Sequence, residues 1–415
     1  MTTLPRNGLA RDDILARLRQ MSAGDYSWQD GRLSAYAFAS GQDAESIARD
    51  AFFQHFSVNA LAARRAFPGL RRMETDVIAI GLELLRAPAG ATGFMTTGGT
   101  ESILAAVKAS RNAARARLGR PAHRGNLVVP VTAHPAFTKA ADLMDLELRR
   151  VPVGADCRSD PVAMAAAMDA DTIMLVGSAP CYPYGVIDRL DALSELALER
   201  GAWLHVDACV GGYIAPFARM LGAPIPEFDL SLPGVRSLSA DLHKFGYCPK
   251  PASTVFYRNA EDARHQAFEY DDWPSGRYAT DTVVGTRSGA AVAAAWAMLH
   301  AMGRDGYLDS TRRLLELAAR YRERYEAFPG LHIVGQPHLS LMAVAAENVD
   351  LHQVGECLKT RGWLPNLVRQ PRGLHHMLSL LHEQAMEPYF RDFADCLEAV
   401  RTGTGPAADK IDVLY

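Results

Sequence analysis

The sequence predicts an α/β protein with a mostly parallel sheet in a large domain and a smaller α+β domain after it. From about residue 75, short runs that are apolar throughout alternate with helical patterns. Strands buried on both faces in this way are typical of a parallel sheet covered by helices. After residue 287 the pattern changes to long helices followed by a few strands. We therefore expect an N-terminal arm (1–57), a large domain (58–288) and a small C-terminal domain (289–415).

The periodicity of apolar residues places the individual elements. In the arm we expect one strand around residues 32–38. The predicted strands of the large domain are 93–95, 126–131, 172–176, 203–206, 235–238 and 254–257. Its predicted helices are 74–85, 101–118, 135–145, 161–168 and 190–199. In the small domain we expect helices at 290–302, 309–328, 354–361 and 388–400, and strands at 332–334, 339–345 and 376–381.

Composition excludes several classes of protein. The 415 residues carry a net charge of −3, which argues against a nucleic-acid binder that depends on neutralising phosphates. The six cysteines form no CxxC pair, so reduced thiols are expected. No signal peptide is evident, and the longest apolar stretch is shorter than the ~20 residues of a membrane helix. We expect a cytoplasmic protein without a membrane span.

A glycine turn is the first candidate site. The segment Thr96-Thr97-Gly98-Gly99-Thr100-Glu101-Ser102 lies between a predicted strand and a long predicted helix. The free N–H groups and positive dipole at such a helix start suit a phosphate. Taken alone, a plain helix cap is the better explanation.

Three polar residues follow other predicted strands. Asp207 lies in HVDAC, Lys244 in SADLHKFGY and His134 in TAHP. Singly, they are explained as a helix cap, a surface lysine and a structural histidine. Ligands bind at the carboxyl ends of strands in open α/β sheets. Together with the glycine turn, the three residues match pyridoxal phosphate, which needs a phosphate cradle, an amine for its aldehyde and a carboxylate for its ring nitrogen.

The order of these motifs resembles the sphingosine-1-phosphate lyases, within the group II pyridoxal-phosphate decarboxylase family. The resemblance runs from about Gly31 to His382 and includes TTGGTES, TAHPAF, SAPCYPYG, HVDACVGG and SADLHKFGYCPK. It implies the pyridoxal-phosphate fold type I, a homodimer with shared active sites, and a carbon–carbon lyase that acts on a phosphorylated sphingoid base by retro-aldol cleavage.

The resemblance also implies a role for each matching residue. Lys244 would bond to the cofactor aldehyde, Asp207 would pair with its ring nitrogen, and His134 would stack on the ring. The cofactor phosphate would be held by Gly99, Thr100 and His243, with Gly285 and Thr286 approaching from the second subunit. Tyr182 and Lys250 match residues on the substrate side.

Two departures from the lyase pattern remove a polar side chain, and a third places Pro251 after Lys250 where the lyases usually have glycine. The tyrosine of the arm motif (residues 31–41) falls on Phe38, with Tyr36 two residues earlier on the same face of the expected strand. The histidine after Asn59 is replaced by Ala62. Arg64 and Arg65 are close enough to bind an anion instead, although a solvated arginine pair explains them equally well.

Three interpretations therefore remain open from the sequence. The first is the lyase, and the second is an amino-acid decarboxylase with the same cofactor, suggested by the two departures. The third is a catalytically inactive binding protein, against which the intact set of Lys244, Asp207 and His134 argues. A metal site at His375, His376 and His382 is not expected, because strand alternation separates the first two rings.

Overall fold

A computed structural model of the chain describes residues 3–40 and 43–406. Gly41, the last residue of the arm motif, and residues 407–415 of the expected small domain lie outside these ranges. The strands are β1 (Thr92–Thr96), β2 (Asn126–Pro130), β3 (Glu147–Val151), β4 (Thr172–Ser178), β5 (Trp203–Asp207), β6 (Val235–Ala240), β7 (Ser253–Tyr257), β8 (Phe268–Tyr270), β9 (Tyr278–Thr280), β10 (Leu331–Ile333), β11 (Leu341–Ala346), β12 (Asn366–Val368) and β13 (Gly373–Met377). The helices are α1 (Arg11–Met21), α2 (Ala44–His55), α3 (Pro68–Leu84), α4 (Gly99–Leu118), α5 (Ala136–Met144), α6 (Pro161–Ala167), α7 (Leu190–Arg200), α8 (Ala215–Met220), α9 (Ala260–Arg264), α10 (Ala290–Glu326), α11 (Leu351–Thr360) and α12 (His382–Arg401).

A seven-stranded sheet organises the first part of the fold, in the order β1-β7-β6-β5-β4-β2-β3. The pairs from β3 across to β6 are parallel, and only β7 runs against its neighbours β6 and β1. Strands β1, β2, β5 and β6 therefore end at the same edge of the sheet. The predicted α/β class is confirmed.

Both faces of this sheet are buried, as the apolar strands predict. Leu175 and Leu204 pack into one core cluster, whereas their chain neighbours Val176 and Trp203 pack into another. Alternate residues of a strand point to opposite faces, so helices must cover both sides.

The second sheet is small and antiparallel, in the order β10-β11-β13-β12. Helix α10 leads into it and is interrupted at Gly303, whose φ of 56° lies in the left-handed region. The sequence predicts two helices with a break after residue 302, and the interruption lies there. Glycine adopts this conformation without the steric strain that a side chain would add.

Two predicted strands are wrong. Residues 32–38 form no strand: Leu33 makes one isolated bridge to Leu364, and Tyr36 has a φ of 73°. The strand expected at 376–381 is β13, which ends at Met377, and His382 already begins α12.

The cysteines also differ from the prediction. Cys357 on α11 and Cys396 on α12 form a disulfide across 39 residues, and the other four are free. Spacing along the chain does not show this pair because the packing of two helices brings it together. Among the described helices, none has both the length and the apolar character required to cross a bilayer.

Candidate active site

A cleft of about 340 Å³ opens at the edge of the large sheet where β1, β2, β5 and β6 end. It is lined by Thr97, Gly98, Gly99, Thr100, Glu101, Ile103, His134, Asp207, Cys209, Asp241, His243 and Lys244. Six residues predicted from the sequence meet here: Gly99, Thr100, His134, Asp207, His243 and Lys244.

The glycine turn forms one wall of the cleft. Helix α4 begins at Gly99, and its N-cap residue Gly98, with a φ of 157°, has no side chain to cap the free N–H groups. A Cβ atom on Gly99 would lie 2.7 Å from Cys209 Sγ and 2.9 Å from Asp241 Oδ2, so a side chain there would collide with both. The turn therefore keeps a helix N-terminus open to the cleft, as a phosphate group requires.

Asp207 and His134 face this turn from the ends of β5 and the segment after β2. Asp207 is buried, and its Oδ1 accepts a hydrogen bond of 3.1 Å from the backbone N–H of Cys209. The Nδ1 atom of His134 accepts one of 3.1 Å from the N–H of Ala136. Burial and the nearby Lys244 lower the pKa of His134 despite the opposing effect of the carboxylates. An uncharged imidazole with its geometry fixed in this way suits stacking on a flat ring.

Lys244 is paired with a carboxylate that the sequence interpretation did not single out. Its Nζ lies 2.9 Å from Oδ2 of Asp241, which is 3% exposed. Burial alone would raise the pKa of Asp241, but Lys244 and His243 outweigh it and leave the pKa below its ordinary value. His243 Nδ1 donates to the carbonyl of Ala252 at 2.6 Å, and burial lowers its pKa.

Glu101 is a second buried residue that the sequence interpretation did not single out. One carboxylate oxygen, Oε2, accepts from the backbone N–H and the hydroxyl of Thr97, both at 2.7 Å. The other, Oε1, accepts from the N–H groups of Val283 and Val284 at 2.9 and 3.1 Å. Glu101 thus ties the glycine turn to the segment that leads into Gly285.

The remaining predicted residues lie outside the lining of the cleft. Tyr182 accepts a hydrogen bond of 3.1 Å from Asn366 and packs its ring 4.4 Å from that of His375. Thr286 accepts a long hydrogen bond of 3.4 Å from Asn59, and Gly285 lies beside Tyr278. The roles expected of Gly285 and Thr286 in a second subunit stay predictions.

Lys250 is also outside the lining of the cleft. Its Nζ is 5.8 Å from the ring centroid of Phe38, the residue that replaces the lyase tyrosine. Burial and the charge of Lys244 both lower the pKa of Lys250, so the two lysines are close enough to interact.

Phe38 and Arg64, which lie at and near the departures from the lyase pattern, have defined surroundings. Phe38 packs edge-on against Phe245 at 5.2 Å, in the turn that follows Lys244. Arg64 is held by Asp281 at 2.6 Å. This ion pair competes with the anion-binding role that the sequence suggests for Arg64.

The three histidines of the small domain serve the packing. His375 is hydrogen bonded to the carbonyl of Tyr182 at 2.8 Å, His376 to the hydroxyl of Tyr325 at 2.6 Å, and His382 to the carbonyl of Leu33 at 2.8 Å.

These residues fit pyridoxal phosphate. The open helix start suits its phosphate, the Asp207 carboxylate suits a protonated ring nitrogen, and the Lys244 amine suits its aldehyde. The fold and site therefore define an α/β enzyme of the pyridoxal-phosphate fold type I. A family profile described as "Pyridoxal-dependent decarboxylase conserved domain" matches residues 3–346, and the chain belongs to the pyridoxal-dependent decarboxylase family.

Within that family the chain is similar to sphingosine-1-phosphate lyases. It is 35% identical to that of Oryza sativa over 98% of this chain and 76% of the relative. The solved structure of the Burkholderia pseudomallei sphingosine-1-phosphate lyase superposes with a TM-score of 0.92 at 36% identity, covering 97% of this chain and 94% of the other. A probable L-aspartate decarboxylase of Pyrococcus furiosus is 32% identical over 86% of this chain and 93% of the relative. The chain is thus a sphingosine-1-phosphate lyase-like enzyme with pyridoxal phosphate as its cofactor.

Proposed function

We propose that this enzyme cleaves the C2–C3 bond of a phosphorylated sphingoid base, which yields a long-chain aldehyde and phosphoethanolamine. One observation supports this most directly. The cleft gathers Gly99, His134, Asp207 and Lys244 at one sheet edge, in a chain that is similar over nearly its whole length to lyases of this kind.

Each cleft residue has a distinct part in holding the cofactor. The N–H groups of Gly99 and Thr100, with His243, would hold the phosphate, and Lys244 would supply the amine for the aldehyde. Asp207 would pair with the ring nitrogen and favour its protonated form. When bound, the cofactor would supply an electron sink for the pair of electrons released at C2. The neutral ring of His134 would stack on the cofactor ring.

Cleavage also requires a base for the proton of the substrate's 3-hydroxyl group. Lys250 suits this role because burial and Lys244 lower its pKa, which favours the neutral amine. Tyr182 is a second candidate, and its hydroxyl already accepts a hydrogen bond from Asn366. A phosphate oxygen of the cofactor is a third.

A second candidate function is amino-acid decarboxylation with the same cofactor. It is favoured by the similarity to the Pyrococcus furiosus protein and by Phe38 and Ala62, where the lyase pattern has tyrosine and histidine. Lys244 and Asp207 would hold the cofactor in the same way, but the bond broken would be the one between C2 and the carboxylate of the substrate.

One assay separates the two functions. The enzyme, loaded with pyridoxal phosphate, is given a phosphorylated sphingoid base and, separately, a panel of amino acids, and the released aldehyde and carbon dioxide are measured. Aldehyde from the first supports the lyase. Carbon dioxide from an amino acid, with no aldehyde, would replace it with the decarboxylase.

We further propose that the enzyme is a cytoplasmic homodimer of sphingolipid metabolism, in which Gly285 and Thr286 complete the phosphate site of the partner subunit. The proposal rests on the resemblance to lyases whose active sites lie at a dimer interface, and Glu101 holds the segment before Gly285 in a fixed place relative to the glycine turn. Mixing Lys244→Ala chains with Gly285→Trp chains tests it. If Gly285 acts in the partner's site, each mixed dimer contains one site free of both changes, and we expect activity to recover. If Gly285 acts in the site of its own chain, every site carries one change and no activity recovers.

A further inference from the structure

The cleft contains a buried carboxylate that has no part in the proposed function. Asp241 Oδ2 lies 2.9 Å from Lys244 Nζ and 3.7 Å from His243 Nε2. Its Oδ1 has no hydrogen-bond partner among the described residues. A Cβ atom on Gly99 would lie 2.9 and 3.0 Å from the two oxygens, so the carboxylate fills the space directly beside the phosphate cradle.

The groups around Asp241 leave Lys244 as its principal counter-charge. The titratable side chains that face it are Lys244 and His243 from its own turn, Asp207 and Cys209 from the end of β5, His134 from the segment after β2, and Tyr213. Burial lowers the pKa of both histidines and raises those of the thiol and the phenol, which favours the neutral form of all four. Asp207 is a second carboxylate, and Lys250 is outside the lining of the cleft.

We propose that Asp241 is a positioning residue that holds the Lys244 amine charged and in place in the cofactor-free enzyme, and so sets the pH at which Lys244 becomes reactive toward an aldehyde. The inference rests on the proposed role of Lys244 as the residue that bonds the cofactor. An ammonium nitrogen has no lone pair, so Lys244 must first release one proton, which passes to solvent through the open cleft. A carboxylate within hydrogen-bond distance favours the charged amine, and Asp241 therefore raises the pH needed for that release.

The test uses the full chain after its cofactor has been removed, and trinitrobenzenesulfonate as the amine reagent. Modification of the peptide that contains Lys244 is followed by mass spectrometry from pH 6 to 10. In Asp241→Asn, we expect Lys244 to react about tenfold faster at pH 7.5 than in the unchanged enzyme, with a profile shifted by about one unit or more to lower pH. Asp241→Glu should restore most of the original profile.

Asp262→Asn is the matched control. Asp262 is a buried carboxylate too, but it pairs with Arg236 away from the cleft, so its loss should leave the reactivity of Lys244 unchanged. A profile in folded Asp241→Asn that coincides with that of the unchanged enzyme would overturn the proposal, because a merely structural role for Asp241 does not shift it.

A double-mutant cycle covers the case in which Asp241→Asn does not fold. The stability of the cofactor-free protein is compared for Asp241→Asn, Lys244→Met and the double variant. We expect the double variant to be more stable than the sum of the single effects allows, because it leaves no unpaired charge. Additive effects would overturn the proposal. Neither experiment uses cofactor or substrate, so a failure of the lyase assignment, seen as absent aldehyde, is distinguished from a failure here.

Discussion

Glu101 Oε1 accepts the backbone N–H of Val283 at 2.9 Å, although the two residues are 182 positions apart. With its hydrogen bonds to Thr97 and Val284, this buried carboxylate fastens the first turn of α4 to the segment before Gly285. The glycine turn and the segment that leads into Gly285 are predicted to bind cofactor phosphates in different subunits. One side chain therefore holds both stretches.

Glu101→Gln is expected to weaken cofactor binding. The amide nitrogen of the glutamine would face backbone N–H donors on one side. Each buried donor left without an acceptor would cost about 1–3 kcal/mol. We expect the Kd for pyridoxal phosphate, measured by absorbance titration, to rise about tenfold. Glu83→Gln is the matched control, because Glu83 is exposed and pairs with Arg304. An unchanged Kd in folded Glu101→Gln would contradict the role of Glu101.

Lys244→Ala is expected to abolish both turnover and the absorbance of lysine-bound cofactor. The methyl group that remains has no amine to bond the aldehyde, although the glycine turn still offers N–H groups to the phosphate. Lys139→Ala removes an exposed lysine on α5 and should change neither signal. Persistence of both signals in Lys244→Ala would exclude Lys244 as the cofactor-bonding residue.

The pH dependence of kcat should identify the base. A base must have lost its own proton before it can accept another, so activity rises with pH through its pKa. For Lys250, burial and Lys244 move that pKa below the ordinary lysine value. We expect Lys250→Met to lose this limb of the profile and to lower kcat by about 10²-fold.

Two further variants serve this measurement. Lys359→Met should behave like the unchanged enzyme, since Lys359 pairs with Glu356 on α11. If Tyr182→Phe loses the limb while Lys250→Met keeps it, Tyr182 is the base instead.

The strands and several residues that line the cleft were predictable for related reasons. β4 and β5 are buried along their whole length, and continuous apolar runs show this in the sequence. Lys244 and Asp207 follow such runs. The motifs that contain them and their positions after predicted strands therefore indicate the same site. The edge strand β3 was missed because Glu147 and Arg150 face solvent and interrupt the apolar pattern.

The supporting residues of the site were not predictable. Asp241 and Glu101 lie inside the quoted motifs, but their partners are set by turns and loops that come together only in the folded chain. Tyr36 shows the same limit, since strand alternation assumes an extended backbone and its φ is 73°. The division of the chain at residues 57 and 288 stays a prediction.

His375 makes the stability of the fold sensitive to acid. It is fully buried against Tyr182, and burial lowers its pKa to about 4. An unfolded chain binds a proton at this ring below about pH 6.5, whereas the folded chain does not until about pH 4. The stability that neutral His375 contributes is therefore present above pH 6.5 and is lost as the pH falls, by on the order of 3 kcal/mol at pH 4.

His375→Gln is expected to flatten this dependence. Glutamine keeps an N–H donor for the Tyr182 carbonyl but does not titrate. The variant should therefore lose less stability on acidification. At pH 7.5 we expect it to be less stable than the unchanged enzyme. Urea unfolding at several pH values between 7.5 and 4.5 measures both effects. His332→Gln is the matched control, because the His332 ring on β10 is exposed, and its curve should run parallel to that of the unchanged enzyme. A His375→Gln curve that is also parallel would show that His375 does not determine the acid sensitivity.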